Sequence, residues 1–243
     1  MTAPDGASLE RIVPGLLEGD EATGLHTLRL HLERYRFASE HISGGVILDL
    51  ACGVGYGSAL LAATHSGCRI IGADLSAPAL QHARTHYWSP AIRLIQGDGA
   101  AWLRPRTIDA AVSLETLEHV MDPSALFAGM VSALRPGGVL IASVPVTPSV
   151  DANPHHVTDF TARGFLALGG RHGLVAVTRL EQRQAYSPIA VLARRERRTQ
   201  DLRRGLIGYY LRHPSAFARR AFALARFGFE NRYLTVVWRK PNQ

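Results

Sequence analysis

The sequence has little cysteine and no long hydrophobic run, and each shortage excludes a class of protein. Two cysteines occur among 243 residues, Cys52 and Cys68; they are too few for a disulfide framework and lack the CxxC spacing of a zinc or redox site. No apolar run approaches the roughly 18 residues that span a bilayer, and the first ten residues lack the basic patch and apolar stretch of a signal peptide. We therefore expect a cytoplasmic protein with reduced thiols and no transmembrane segment.

Positive charge is abundant, but it is confined to one segment. The formal net charge is +7, and between Gln184 and Asn231 ten arginines stand against only Glu196, Asp201 and Glu230, which is also +7. The rest of the chain is therefore neutral. Such a segment is most often a solvated helical face; the functional alternatives are a lid over an anionic small molecule, such as a nucleotide sugar, and a surface that meets acidic lipid or RNA.

From residue 46 onward, short β-branched runs alternate with helical patterns, which is typical of a parallel sheet covered by helices. The pattern predicts strands at 46–51, 69–74, 92–96, 108–114, 139–144, 174–180 and 233–239, and helices at 25–41, 57–64, 77–87, 123–134 and 161–170. We predict an α/β, Rossmann-like, doubly wound sheet of seven mostly parallel strands. The predicted parts are an N-terminal helical cover (1–45), a nucleotide-binding domain (46–183 plus 232–243) and a basic helical cap (184–231) inserted between the last two strands.

The strongest local signal is the run VILDLACGVGYG at 46–57, a buried strand that enters a glycine turn. Glycines at 53, 55 and 57 allow the backbone to approach a ligand and to adopt positive φ. A dinucleotide site prefers G-x-G-x-x-G/A, but the sixth position here is Ser58, so the spacing favours a ligand without pyrophosphate. Glycine turns also serve as plain connections between a strand and a helix.

Two aspartates follow the next two predicted strands. Asp74 closes the second strand, where a carboxylate can accept hydrogen bonds from ribose hydroxyls; its alternative role is to cap the helix that starts near Ala77. Asp98 follows the third strand, where it can reach the exocyclic amine of an adenine, although an Asp-Gly turn is an equal interpretation. Both lie at carboxyl ends of strands, the edge at which open α/β sheets bind ligands.

At this point the sequence resembles the class I S-adenosylmethionine-dependent methyltransferases. The resemblance is carried, in order, by DLACGVGYG (49–57), GAD (72–74), GDG (97–99), SLETLEHV (113–120) and LRPGGVLI (134–141). It implies that the cofactor is S-adenosylmethionine. The cofactor-binding set that it implies is Asp49, Gly53, Gly55, Gly57, Asp74, Leu75, Asp98, Gly99, Ala100 and Glu115, with the glycines at the methionine part, Asp74 at the ribose, and Asp98, Gly99 and Ala100 at the adenine. In this interpretation Asp49 orients the glycine loop and the cofactor amino group.

A second set of polar residues follows the fourth and fifth predicted strands. Glu115, Glu118 and His119 are spaced so that one helical turn would bring them onto one face, and His155 and His156 follow the fifth strand. Carboxylates and imidazoles converging from adjacent loops are the ingredients of a divalent-metal site. We expect Glu115, His119, His155 and His156 to be the catalytic candidates, with His155 or His156 as the general base in the absence of a metal.

These residues also carry a looser resemblance. The pattern Glu-x-x-Glu-His followed by His-x-x-Asp-Phe-Thr is similar to the metal-binding pattern of small-RNA 3′-end 2′-O-methyltransferases, and its first half is similar to ubiquinone-pathway O-methyltransferases. That resemblance implies Glu115, Glu118, His119 and His156 as ligands of Mn, Fe, Co, Zn or Mg. The same pattern is frequent in methyltransferases of this class without a metal, where Glu115 meets the cofactor and His119 caps or packs.

The run ERYRFA at 33–38 resembles bacterial methyltransferases that act on sugars and glycans. We therefore expect O-methylation of a hydroxyl on a small, sugar-like, glycan or diol-bearing acceptor, which is anionic or glycosylated. An RNA 2′-O-methyltransferase is the closest alternative, although no aromatic-interleaved basic stretch supports it. A catalytically inactive scaffold that binds S-adenosylmethionine, and transfer to nitrogen or carbon, also remain open.

Overall fold

One mixed sheet of seven strands forms the centre of the described molecule. The computed structural model describes residues 12–16, 22–98, 104–187, 189 and 202–242. The strands are β1 (Val46–Leu50), β2 (Arg69–Asp74), β3 (Ile92–Gln96), β4 (Ile108–Leu114), β5 (Leu134–Pro145), β6 (Val175–Ala185) and β7 (Glu230–Arg239). Their order is β3-β2-β1-β4-β5-β7-β6, and β7 is antiparallel to both of its neighbours. The predicted Rossmann-like α/β fold is confirmed.

Helices cover the two faces of the sheet. They are α1 (Ala22–Glu40), α2 (Tyr56–Thr64), α3 (Ala77–His86), α4 (Pro123–Ala133), α5 (Ala162–Arg171), α6 (Leu206–Arg212) and α7 (Pro214–Phe227). The starts of three of these helices follow from side-chain caps, because Ser76, Asp122 and Thr161 each accept a hydrogen bond from a backbone N–H in the first turn. Proline in the first turn of α3 and α4 supports the same starts.

The core lies on both faces of the central strands, as a parallel sheet covered on each side requires. On one face, Phe127 and Phe165 pack edge-on against Trp238 at 5.3 and 5.1 Å between ring centroids. On the other face, Ile47 and Leu61 belong to the cluster beneath α1 and α2. Because β1 and β4 are thus fixed from above and below, the turns at their carboxyl ends have a rigid base.

The largest differences between the predicted boundaries and the structure lengthen strands. The segment Pro136–Gly138, which separates the predicted helix at 123–134 from the predicted strand at 139–144, lies inside β5, because Leu134 already pairs with Ile108. At the other edge, β6 and β7 continue outward until Ala185 pairs with Glu230, so the helical cap begins later and ends earlier than 184–231. Antiparallel pairing extends wherever two chain segments lie side by side, a contact that local sequence does not reveal.

Among the described residues, we find no helix with the length and apolar character needed to cross a membrane. The cytoplasmic location stays a prediction.

Candidate active site

A cavity of about 420 Å³ opens at the carboxyl ends of the central strands, a volume within the range of small-molecule sites. Its walls come from the glycine loop after β1, from α1, from the turn after β4, from the loop between β5 and α5, and from the cap. Gly53 and Asp74, which belong to the earlier sequence motifs, border the cavity. Glu118, His119 and His156, which follow β4 and β5, border it as well. One cavity therefore joins the two groups of residues that the sequence singles out.

The three glycines of the loop have three different structural roles. Gly53 has φ +56 and no atom within 4 Å of an added Cβ, and it borders the cavity. At Gly55 (φ +91) a Cβ would lie 2.6 Å from the Cβ of Ala83, and at Gly57 it would overlap the ring of Tyr35. Of the three, only Gly53 thus borders the cavity, whereas the other two allow α3 and α1 to pack closely.

Asp74 holds the glycine loop in place while it borders the cavity. Its Oδ2 accepts a hydrogen bond from the N–H of Gly53 and its Oδ1 accepts one from the N–H of Ser76, both at 2.8 Å. The helix cap proposed as an alternative role belongs instead to Ser76, which accepts from Ala79. Asp74 therefore fixes the glycine loop against the start of α3.

The other predicted adenosine contacts lie toward the exposed edge of the sheet. Leu75 follows Asp74 with its side chain exposed, and Asp98 is exposed just after β3. Gly99 and Ala100 lie outside the described residues.

Asp49 is completely buried and does not border the cavity. It accepts hydrogen bonds from the hydroxyl of Tyr35 at 3.1 Å and from the hydroxyl of Ser58 at 2.6 Å, which join α1 and α2 to β1. Burial raises the pKa of the Asp49 carboxyl to about 6, although the two hydrogen bonds act in the opposite direction. Asp49 therefore fixes α1 and the start of α2 against β1, and its predicted role in orienting the glycine loop stays a prediction.

Arg34 is a site residue that sequence reasoning did not assign. It is almost fully buried at the cavity wall, where its Nε donates to Gln182 Oε1 at 2.6 Å and its Nη1 lies 3.5 Å from Glu115 Oε1. Among the described residues, no acceptor forms a hydrogen bond with Nη1 or Nη2. A buried guanidinium in this state is suited to a carboxylate ligand. The available signal was its spacing, since Arg34 lies four residues from both Leu30 and Ala38 on the buried face of α1.

Glu115 borders the cavity but does not join the predicted metal ligands. Its backbone is left-handed, with φ +53, and its Oε1 accepts a hydrogen bond from the hydroxyl of Ser143 at 2.8 Å. The predicted helical turn over 115–119 is wrong, because a 3₁₀ turn begins only at Leu117. Ala51, at the end of β1, is left-handed as well (φ +61). Strained non-glycine residues at two strand ends that border one cavity are typical of functional sites.

Glu118, His119 and His156 come together beside the cavity. Each offers a ligand atom, and these atoms lie within 4.8 Å of one another. Glu118 is fully buried, and the rings of His119 and His156 meet edge-on at 4.6 Å between centroids. One carboxylate and two imidazoles in such proximity form a donor set that fits a divalent transition metal.

Hydrogen bonds hold the two loops that carry this group. The N–H groups of Val157 and Thr158 donate to the carbonyl of Glu118 at 2.8 and 3.2 Å. His156 Nδ1 lies 2.7 Å from the Ser149 hydroxyl, and His119 Nδ1 lies 3.2 Å from the carbonyl oxygen of His155. Because a carbonyl only accepts, the His119 proton resides on Nδ1 and the ring lone pair on Nε2.

His155 therefore differs from its neighbour. Its side chain is exposed and does not border the cavity, although its backbone supports His119. Of the two predicted bases, the structure places only His156 at the cavity.

The cap is attached to the loop that carries His156 by a buried ion pair. Arg220 donates to both carboxylate oxygens of Asp151, at 2.8 and 2.6 Å, and to the carbonyl of Pro148 at 2.6 Å. Tyr210 donates to Asp151 Oδ2 at 2.6 Å, and Arg203 donates to backbone carbonyls of the same loop. Burial alone raises the pKa of Asp151, but the hydrogen bonds and charge of Arg220 lower it below its ordinary value. Sequence reasoning missed this pair, since the partners are 69 residues apart.

Comparison with known proteins identifies the domain that carries the glycine loop, Asp74 and the turn after β4. Residues 48–142 match the family model described as a methyltransferase domain. A relative in Mycolicibacterium smegmatis named "Probable S-adenosylmethionine-dependent methyltransferase" is 30% identical over 160 residues, which are 63% of this chain and 59% of the relative. The ubiquinone biosynthesis O-methyltransferase of Xanthomonas campestris is 32% identical over 153 residues, 61% of this chain and 63% of the relative. The matched parts thus cover only 59–63% of these curated relatives.

A solved structure shows that the fold is shared over most of the chain. The N-methyltransferase NodS of Bradyrhizobium japonicum, in complex with S-adenosylhomocysteine, superposes with a TM-score of 0.60 at 17% identity, covering 92% of this chain and 90% of that protein. At such low identity the likeness concerns the fold alone. The ordered motifs and the family match identify residues 48–142 as a class I methyltransferase domain, whose cofactor is S-adenosylmethionine.

Proposed function

We propose that the protein is an O-methyltransferase for a small acceptor with two neighbouring oxygens, such as a catechol or a vicinal diol of a sugar, and that Glu118, His119 and His156 bind a divalent ion which holds this acceptor. One observation carries the proposal: this group borders the same cavity as the glycine loop of the methyltransferase domain.

The cofactor half of the cavity supplies three kinds of contact. Gly53 permits close approach of the backbone, and Asp74 can accept hydrogen bonds from the ribose hydroxyls. Arg34 is suited to the methionine carboxylate, because its outer nitrogens lack hydrogen-bond acceptors among the described residues. S-adenosylmethionine supplies an electrophilic methyl group, so the acceptor oxygen forms a bond to carbon as the carbon–sulfur bond breaks.

The acceptor half would supply a binding point for the acceptor oxygens, and the proton of the attacked hydroxyl would pass to solvent water. Two nitrogen donors and one carboxylate favour Mn²⁺, Fe²⁺, Co²⁺ or Zn²⁺ over Mg²⁺, which prefers oxygen ligands. A bound ion of this kind lowers the pKa of a coordinated hydroxyl and fixes two adjacent oxygens at once. With three protein ligands, coordination positions are left for the acceptor.

The enclosure of the cavity favours a small acceptor over an RNA strand. Leu202 and Arg220 of the cap border it, as does Tyr186 at the end of β6. Arg220 and Arg203 are occupied by the loop at 148–151 rather than arranged along an open groove. A 2′-O-methyltransferase for RNA needs a basic track for phosphates, which these inward contacts do not provide.

Ion binding and methyl transfer can be tested separately. Purified protein stripped with EDTA should take up Mn²⁺ or Co²⁺, measured by electron paramagnetic resonance or by visible absorption of cobalt. It should transfer labelled methyl groups from S-adenosylmethionine to members of a panel of catechols and methyl glycosides only after metal is restored. We expect His156→Ala to lose both ion binding and transfer, while His155→Ala, the exposed neighbour, keeps both.

Each contrary result corrects a defined part of the proposal. Full methyl transfer in EDTA would show that the reaction needs no metal, and it would leave His156 as a metal-free base. Transfer to amines but to no hydroxyl would contradict O-methylation. Tight binding of S-adenosylhomocysteine without transfer to any member of the panel or to RNA would instead favour a scaffold without catalysis.

A further inference from the structure

The cap has an unusual combination of charge and exposed apolar side chains. The stretch 202–229 contains six arginines and no aspartate or glutamate. Within it, Ile207, Leu211, Phe217 and Phe222 are 80%, 81%, 56% and 66% exposed. Large apolar side chains with this exposure, placed close together, mark an interaction surface more often than scattered surface residues do.

On α7, the exposed side is apolar and continuous. With about 100° of rotation per residue, Phe217, Ala218, Ala221, Phe222 and Ala225 fall within an arc of roughly 140° that contains no charged residue. All five are exposed. The opposite side carries Ala216, Ala223 and the inward-directed Arg220, which attach the helix to the rest of the protein.

The short helix α6 extends this surface. Ile207 and Leu211 are four residues apart and therefore lie on the same side of α6. The ring of Tyr210 contacts the ring of Phe217 at 5.5 Å between centroids, which joins α6 to α7. We call the exposed apolar residues of the two helices the docking face; it consists of Ile207, Leu211, Phe217, Ala218, Ala221, Phe222 and Ala225.

Arginines adjoin the docking face, and they differ from the two that attach the cap. Arg203 and Arg220 donate to the loop that carries Asp151. Arg204, Arg212 and Arg226 are exposed, and Arg219 has only a long ion pair of 3.8 Å with Asp159. Arg219 and Arg226 follow the apolar arc of α7 at its edge in the helical projection. Apolar side chains flanked by arginines form the pattern of a helix that lies in the membrane interface.

We propose that the docking face binds an acidic lipid surface, with α6 and α7 lying in the plane of the membrane. Charge complementarity selects this occupant. A second copy of the chain would bring like-charged arginines together across a symmetric contact, which opposes association. A nucleic acid would satisfy the arginines but would leave the phenylalanine and leucine side chains without apolar partners. The proposal goes beyond the methyltransferase reaction and does not depend on it.

Vesicle sedimentation tests the proposal directly. The full chain, loaded with S-adenosylhomocysteine, is mixed with vesicles of phosphatidylcholine alone or with about one third phosphatidylglycerol. We expect binding to the acidic vesicles only, and weaker binding as salt rises, because salt screens the arginines. Arg204→Gln with Arg212→Gln should weaken binding by roughly 25-fold, since each basic residue near such a surface contributes about a fivefold factor.

A second variant separates apolar insertion from charge alone. Leu211→Gln with Phe222→Gln should also lose most of the binding, because burial of apolar area adds to the electrostatic attraction. The matched control is Arg84→Gln with Trp88→Gln, which removes one exposed arginine and one exposed large apolar side chain at the end of α3 and should bind as the original chain does.

Three results would overturn the proposal. One is the absence of binding to acidic vesicles at low salt. Another is equal weakening by the control on α3. The third is a dimer that the variant Leu211→Gln, Phe222→Gln dissociates while vesicle binding persists, since the docking face would then belong to a second copy. Unchanged affinity for S-adenosylhomocysteine in every variant shows that each one folds.

Discussion

The two halves of the cavity are built in different ways. In the cofactor half, Gly53 and Asp74 lie at the ends of adjacent strands, and their contacts involve backbone groups that follow directly from the local turns. In the acceptor half, Glu118 and His156 come from separate loops and depend on side chains elsewhere, including Asp151 and Arg220. A cofactor site made of local turns therefore does not depend on the loops and the cap that form the other half of the cavity.

The variant with the largest expected effect disrupts only the acceptor half of the cavity. Arg220→Ala leaves Asp151 as a buried carboxylate without its cation, a change that typically costs about 3 to 5 kcal/mol. We expect the loop at 148–156 to loosen and methyl transfer to fall at least a hundredfold, while the affinity for S-adenosylhomocysteine stays the same. Turnover and calorimetry on the same preparation measure the two effects.

Two further variants show whether Arg220 acts through Asp151. The side chain of Asp151 does not border the cavity. The variant Asp151→Asn should nevertheless reproduce the loss of turnover. Arg219→Ala, which removes a half-exposed ion pair of 3.8 Å, should change it little. If Arg219→Ala were as damaging as Arg220→Ala, the loop would not depend on the buried pair.

The next effect concerns the cofactor half and depends on pH. The pKa of Asp49 is about 6 in the folded protein, whereas the reference pKa of an exposed aspartate carboxyl is 3.8. The folded state therefore binds more protons between pH 4 and 6, and its free energy of unfolding falls as the pH rises through this range. The difference in pKa corresponds to about 3 kcal/mol.

Asp49→Asn should remove this fall, because the amide carries no charge at any pH in the range. Urea unfolding at several pH values, with and without the substitution, measures the difference between the two slopes. Identical slopes would mean that the buried carboxyl does not titrate as described.

A smaller expected effect is a difference in stability between alanine substitutions at two glycines of the glycine loop. Gly57→Ala forces a methyl group into the Tyr35 ring and should lower the free energy of unfolding by about 2 to 3 kcal/mol. Gly53→Ala meets no atom and should cost only about 1 kcal/mol through its left-handed backbone. The affinity for S-adenosylhomocysteine should fall more in Gly53→Ala than in Gly57→Ala, since only Gly53 of the two borders the cavity. Equal losses of stability would show that the close approach of α1 is not maintained.

The fold could be predicted from the sequence because its signals are local. Short β-branched runs, helical patterns and the glycine loop each act within a few residues, and together they predict the strands and helices. The caps that the structure shows at Ser76, Asp122 and Thr161 act over the same short range. The edge at which the cavity opens then follows from the rule that open α/β sheets bind ligands at the carboxyl ends of their strands.

Side-chain contacts between distant segments could not be predicted in the same way. Helical spacing grouped Glu115 with Glu118, but the left-handed backbone at Glu115 separates them. Nothing local distinguishes His155 from His156; their difference in exposure depends on how the loop lies against the turn after β4. The pair of Asp151 with Arg220 depends on the position of the whole cap.

Calorimetry with S-adenosylhomocysteine on two variants tests the central claim, that one cavity contains a cofactor half and a separate acceptor half. We expect Asp74→Ala to weaken binding by about 1 to 3 kcal/mol, which is roughly fivefold to 150-fold, through lost hydrogen bonds to the ribose. His156→Ala should bind S-adenosylhomocysteine as the original chain does. Unchanged binding in Asp74→Ala, or a comparable loss in His156→Ala, would contradict this division of the cavity.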